Sequence, residues 1–140
     1  MADLTANTPR NYGKIMLQAA IPVKASTHLY EGMAIGEDSS NGTADLLAAS
    51  DSFLGFALRE ADNSSGSAGD IDVKLAVKGL IELTVTGGAQ NTLGAAVYAT
   101  DSNTFSTTDS GSDTQIGTIY QQISGTKVLV YFQGYQARDV

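Results

Sequence analysis

The stretch from Gly69 to Gly88 constrains the fold more than any other. In an extended backbone Ile71, Val73, Leu75 and Val77 leave one side, and Asp72, Lys74 and Lys78 leave the other with Ala76 among them. Beyond Gly79 the alternation resumes, with Ile81, Leu83 and Val85 opposite Glu82, Thr84 and Thr86. Such alternation marks a strand with one buried face, because successive side chains leave opposite faces of a sheet. A helix would scatter the same residues around its circumference. The stretch predicts two strands, joined or bent at Gly79, in the middle of a sandwich or barrel.

The flanking segments continue in the same style. Residues 1–12 are polar, contain Pro9 and show neither period, which predicts an extended arm that frays when free or orders on a partner. Removing such an arm is expected to leave the melting of the body, residues 13–140, nearly unchanged. Lys14 to Ala25 fits two short strands or one bent strand, and Pro22, lacking an amide donor, belongs at an edge or bend. Tyr30 to Gly36 reads as a turn and a short strand, and Glu37 to Thr43 as a loop. Ala44 to Ala49 is too short for periodicity to decide. Phe53 to Arg59 predicts a strand apolar on both faces, with Gly55 at a bulge or a close neighbour. Asp62 to Gly69 is a polar loop.

Leu93 to Thr100 predicts another strand, and Asp101 to Thr114 a polar loop or small hairpin around Phe105. Ile116 to Ile123 and Lys127 to Tyr135 are the last two strands, joined at Ser124-Gly125. About eight to ten short strands with little helix define an all-β chain, a β-sandwich, jelly roll or barrel. In the last strand Val128, Val130 and Phe132 alternate with Leu129 and Tyr131, so both faces are apolar. That fits a central strand covered on both sides, or one whose Leu129 and Tyr131, with Tyr135, reach a second subunit.

Composition narrows the function classes. The 140 residues suit one domain large enough to bury a core. Fifteen acidic residues against 8 basic give a net charge of -7, which opposes nucleic acid and anionic lipid. With no cysteine, there is no disulfide framework or thiolate nucleophile. The first residues lack the basic start and apolar run of a signal peptide, and no segment approaches the ~20 apolar residues of a membrane span. Only 16% of residues are charged, so Ser, Thr, Asn, Gln and Gly carry the surface polarity, as suits a protein packed in an assembly and also a plain secreted or viral β domain.

Catalytic and metal-binding patterns are thin. The lone histidine, His28, stands in Ser-Thr-His-Leu-Tyr with no nucleophile-elbow sequence anywhere, and such a turn histidine is ordinarily solvated. Asp101, Asn103, Asp109 and Asp113 invite a calcium reading, but Phe105 occupies a ligand position and no terminal glutamate follows. Asn41 and Asn63 match the glycosylation pattern, as a Ser/Thr-rich chain does by chance. Gly69 to Asp72 resembles the Gly-x-Ile-Asp motif of trimeric dUTP-hydrolysing enzymes, but Leu75 and Val77 stand where that motif needs tyrosine and glycine. A glycan- or receptor-binding module on a virion is the alternative reading; it would need exposed aromatic platforms, and there is no tryptophan. No cofactor is expected.

The order of elements resembles that of the capsid decoration, or cement, proteins of tailed bacteriophages. The matching pieces begin at Ile21-Pro-Val-Lys-Ala, Tyr30-Glu-Gly-Met-Ala-Ile, Phe53-Leu-Gly-Phe-Ala and Gly69-Asp-Ile-Asp-Val. They continue through Lys78-Gly-Leu-Ile-Glu-Leu, Leu93-Gly-Ala-Ala-Val-Tyr-Ala, Ile116-Gly-Thr-Ile and Val128-Leu-Val-Tyr-Phe. The resemblance implies a non-enzymatic protein on the outer surface of a phage head, bound to the major capsid protein of an HK97-type shell at the joints between its subunits. Its members are jelly rolls docking as dimers or smaller tulip-like domains forming trimers. The strand count favours a jelly-roll-like β-sandwich and a dimer here. Contacts are expected from Pro9, Arg10 and Tyr12 on the arm and from Leu129, Tyr131 and Tyr135. At about 25 cal/mol per Å² of apolar surface, a few such side chains contribute several kcal/mol.

Overall fold

The computed structural model describes residues 3–38, 42–89 and 92–137. Among them are eleven strands and one 3-10 turn, Tyr135–Ala137. The strands are β1 (Tyr12–Pro22), β2 (Thr27–Leu29), β3 (Ala34–Glu37), β4 (Ala44–Leu46), β5 (Phe53–Ala57), β6 (Ala61–Asn63), β7 (Asp72–Thr84), β8 (Ala96–Asp101), β9 (Thr104–Ser106), β10 (Thr114–Ser124) and β11 (Lys127–Gln133). Nine form one antiparallel sheet in the order β4-β3-β5-β7-β11-β10-β8-β9, with β1 along the other edge of β7. β2 and β6 make a separate pair.

β7 is the axis, and it is one strand of 13 residues rather than the two expected. Its first half pairs with β5 through Phe56↔Ala76 and Ala57↔Leu75. Its second half pairs with β11 from Lys78↔Gln133 to Thr84↔Lys127. β1 spans both, from Tyr12↔Ile81 to Pro22↔Asp72. Alternation passes through Gly79 in phase, since Val73, Leu75, Val77, Ile81 and Leu83 are all buried. Gly79 is where β1 crosses closely: a Cβ there would collide with the Lys14 carbonyl oxygen. The glycine therefore marks an approach of two backbones and not a break.

The sheet curls until its ends meet the chain around β7. Val23, just after β1, bridges to Ala44 in β4, and Thr86, just after β7, bridges to Ser106 in β9. Two apolar cores result. One gathers Phe53, Phe56, Ile81, Leu83, Ile116, Ile119, Val128, Val130 and Phe132. The other gathers Val23, Leu29, Met33, Ile35, Val73, Leu75 and Val77. In the first, Phe56 meets Phe53 at 5.4 Å and Phe132 at 5.1 Å, both edge to face, the arrangement aromatic quadrupoles favour. The architecture is an all-β sandwich made from one curled sheet. Closure also covers the end strands, and three register shifts interrupt the pairing of β1 with β7; bulges of this kind twist an edge strand away from templating another.

Gly55 has a close neighbour, as expected: at φ 145 a Cβ would strike the Ala76 carbonyl oxygen. The hairpin around Phe105 forms as β8 and β9, and Ala44–Leu46 resolves as a strand. Other boundaries move. Lys14 to Ala25 becomes a single bulged β1, since β7 offers one continuous partner. β8 starts at Ala96, leaving Leu93 62% exposed in the preceding turn. β11 stops at Gln133: the Gly134 amide still bonds to the Val77 carbonyl at 2.6 Å, and the chain then enters the 3-10 turn at Tyr135.

Candidate docking surface

The described part of the N-terminal arm is laid along the body. Asp3 accepts hydrogen bonds from the amide (3.0 Å) and hydroxyl (2.7 Å) of Ser102, and the Leu4 amide donates to the same hydroxyl. Asn7 donates to Glu60 and accepts from the Glu31 amide, and the Thr8 amide donates to the Glu31 carbonyl. The Asn11 carbonyl accepts from the Glu82 amide, and Tyr12 already belongs to β1. Arm residues thus use backbone and side-chain groups that a free terminus would leave to water.

Arg10 lies half-buried in the middle of this segment. Its Nε donates to the Gly32 carbonyl at 3.0 Å and its Nη2 to Asn103 Oδ1 at 2.7 Å, with the guanidinium 5.8 Å from the Phe105 ring centre. Burial lowers its pKa from the ordinary arginine value, although the group stays charged. Beside it opens a cleft of about 630 Å³, lined by Leu4, Arg10, Thr84, Thr86, Asn103 and Phe105 among others. Pro9 is exposed and borders a second cleft with Arg10, Glu82 and Lys127. Tyr12 packs on Phe132, and burial pushes its phenol up to about 12, with its hydroxyl lacking a partner among the described residues.

The arm and the last strand, far apart in sequence, meet at Gly13. A Cβ on Gly13 would stand 3.2 Å from Leu80 Cβ and 3.4 Å from both Leu129 Cδ atoms. β11 buries Val128, Val130 and Phe132 and leaves Leu129 and Tyr131 half-exposed. Tyr131 lies opposite Leu80 in β7 and Thr118 in β10. Leu129 thus comes close to the start of β1, but the side chains part: Tyr12 turns to Phe132 in the core and Arg10 to Gly32, Asn103 and Phe105, whereas Leu129 and Tyr131 leave the other, outer face of β11 as a half-exposed apolar region. Tyr135 is 58% exposed and sits in the 3-10 turn, where Gln136 is held to the Leu54 carbonyl.

Two apolar residues beside this region escaped the sequence reading. β10 is shifted in register between Ile119 and Gln121 and again between Gln122 and Ser124. The residues inserted there, Tyr120 and Ile123, are 55% and 43% exposed. Regular alternation assigns every second residue inward, and nothing in Gln-Ile-Gly-Thr-Ile-Tyr-Gln-Gln-Ile marks where the count slips.

The residues weighed for chemistry have the following neighbours. His28 stacks on Tyr30 at 4.2 Å and faces Glu60, 2.5 Å from its Nε2, and Asp62. Asp101 accepts from the Asn103 amide and the Thr104 hydroxyl, Asp109 from the Gly111 and Asp113 amides, and Asp113 from Ser110. Each acidic side chain of the proposed calcium loop thus caps its own turn. Asn63 is 3% exposed and its amide reaches the Lys24 and Ser67 carbonyls at 3.0 Å, so it is no glycan acceptor in the folded chain. Asn41 falls outside the described residues.

Fold and surface define a β-sandwich with a stitched-down arm and a half-exposed apolar region beside it. No protein-family model and no curated protein sequence matches the chain. Among solved structures, a chain of "The capsid of Myoviridae Phage XM1" is similar at a TM-score of 0.55 and 18% identity. The likeness covers 95% of this chain and 92% of that one. At this identity it is a likeness of fold.

Proposed function

We propose that this chain is a non-catalytic structural component of a tailed-phage head. In this reading it is a decoration protein that binds the outer surface of the shell and braces contacts between major capsid subunits. The observation that carries the reading is the whole-length likeness to a chain of the phage XM1 capsid: nearly all of both chains is used, so two proteins of similar size share one architecture. The surface supports it. A body closed at both ends of its sheet is stiff, and Leu129, Tyr131, Tyr120 and Ile123 leave apolar area for a partner. Many copies on a repeating lattice gain avidity from modest contacts. A dimer is the proposed state on the particle.

The test is to mix purified protein with heads assembled without it, then measure co-sedimentation and heat resistance. Saturable binding and a higher temperature of head disruption are expected. Failure to bind, or binding with no gain in resistance, overturns the decoration role.

A further inference from the structure

We infer that the cleft beside Arg10 receives a carboxylate, and that this carboxylate is an aspartate or glutamate side chain on the protein surface against which this chain docks. The inference rests on the docking role proposed above. Arg10 is a half-buried cation with no carboxylate within ion-pair distance among the described residues. A buried charge is costly unless it is paired and hydrogen-bonded. Here one edge of the guanidinium is fixed by the Gly32 carbonyl and Asn103, both neutral acceptors. Its remaining N–H groups have no acceptor among the described residues and are open to solvent, so that an incoming ligand can reach them. Among acids on neighbouring elements, Asp101 accepts from Asn103 and Thr104, Asp3 accepts from Ser102 and Glu82 pairs with Lys127, while Glu31, next to Gly32, makes no ion pair with Arg10.

The rest of the cleft matches the same ligand. Thr84 and Thr86 are exposed on its wall and offer hydroxyl donors beside the guanidinium. Leu4 and Phe105 supply apolar surface for the methylenes of an acidic side chain. One cation suits a monoanion better than a phosphate dianion. The net charge of -7 opposes a dianion more than a monoanion. An anchored carboxylate arrives at high effective concentration once neighbouring contacts have formed. Its planar pair of oxygens fits the guanidinium fork.

The experiment has two arms. In the isolated full chain, the Arg10 Nε–H resonance is followed during titration with N-acetyl-glutamate N-methylamide and, separately, with inorganic phosphate. A saturable shift with the glutamate compound and a smaller one with phosphate are expected; an equal or larger phosphate response overturns the assignment. In the second arm, head binding is measured for the natural chain, Arg10→Lys and the pair Thr84→Val with Thr86→Val. Losses of about tenfold are expected for both, as for a charge-assisted hydrogen bond, and the threonine pair should melt as the natural chain does. If the natural chain binds heads and both variants bind within about twofold of it, the carboxylate inference fails and the decoration role stands. If the natural chain does not bind, the decoration role fails and takes the partner carboxylate with it.

Discussion

Asp3 and Ser102 are 99 positions apart in sequence, yet one carboxylate oxygen of Asp3 accepts both the amide and the hydroxyl of Ser102, which is fully buried. That contact ties the start of the chain to the turn between β8 and β9 and makes the arm part of the body. Replacing Asp3 by Ala strands a buried hydroxyl and amide, so it should cost about 1–3 kcal/mol of unfolding free energy. Deleting residues 1–11 should cost more, because Leu4 also packs against the core. Urea denaturation of the isolated protein checks both; an unchanged midpoint would mean that the arm contributes nothing to the body.

The hydroxyl of Tyr12 is buried without a partner among the described residues, and its phenol titrates at about 12 because burial disfavours the phenolate. The ordinary value is 10.0. As pH rises through the unfolded value the unfolded chain ionises first, so stability falls between about 10 and 12. Tyr12→Phe removes both the stranded hydroxyl and this titration. It should raise stability at neutral pH by up to about 1 kcal/mol and soften the alkaline loss. Thermal melts across that range measure both effects, and a Phe variant that melts lower at neutral pH would reveal a hydrogen bond the fold does not account for.

Glu60 accepts from Asn7 and contacts His28, and these bonds hold its carboxyl below the ordinary value of 4.5, with the Asn7 bond the larger cause. A carboxylate depressed in the folded state contributes stability that is fully present above 4.5 and is lost as pH falls through the folded value. Glu60→Gln should therefore flatten the acid limb of the stability curve. Melting temperatures recorded from neutral pH downwards decide it: parallel limbs for variant and natural chain would contradict the assignment.

Tyr120 and Ile123 stand out from the bulges of β10 and take no part in either core. Tyr120→Ser with Ile123→Ser should change stability by less than about 0.5 kcal/mol per site. On the proposed role, the same pair should weaken head binding by about tenfold, the scale expected when apolar anchors are truncated in an interface. Chemical denaturation and co-sedimentation separate the two effects. A large loss of stability would place these side chains in the fold, and unchanged head binding would remove this face from the docking surface.

Wherever one local rule governs, the amino-acid sequence already specifies the structure. Alternation through Val73, Leu75, Val77, Ile81 and Leu83 identified buried faces, because side-chain direction in a strand depends only on backbone period. Gly55 announced a close backbone neighbour for an equally local reason. Pro22, at the last position of β1, stands where a missing amide costs no ladder bond.

Tertiary structure decided what depends on partners distant in the chain. Whether Gly79 broke a strand or admitted a crossing one was settled by Lys14, and whether the arm was free or fastened by Ser102, Glu31 and Gly32. The bulges exposing Tyr120 and Ile123 arise from register against β11, and the partners of Arg10 among the described residues, the neutral Gly32 carbonyl and Asn103, from the segments that the fold brings beside it. Periodicity is a property of neighbouring residues, so the sequence carried it alone. Closure, register and charge pairing are properties of chain segments brought together, and they existed only once the sheet had curled.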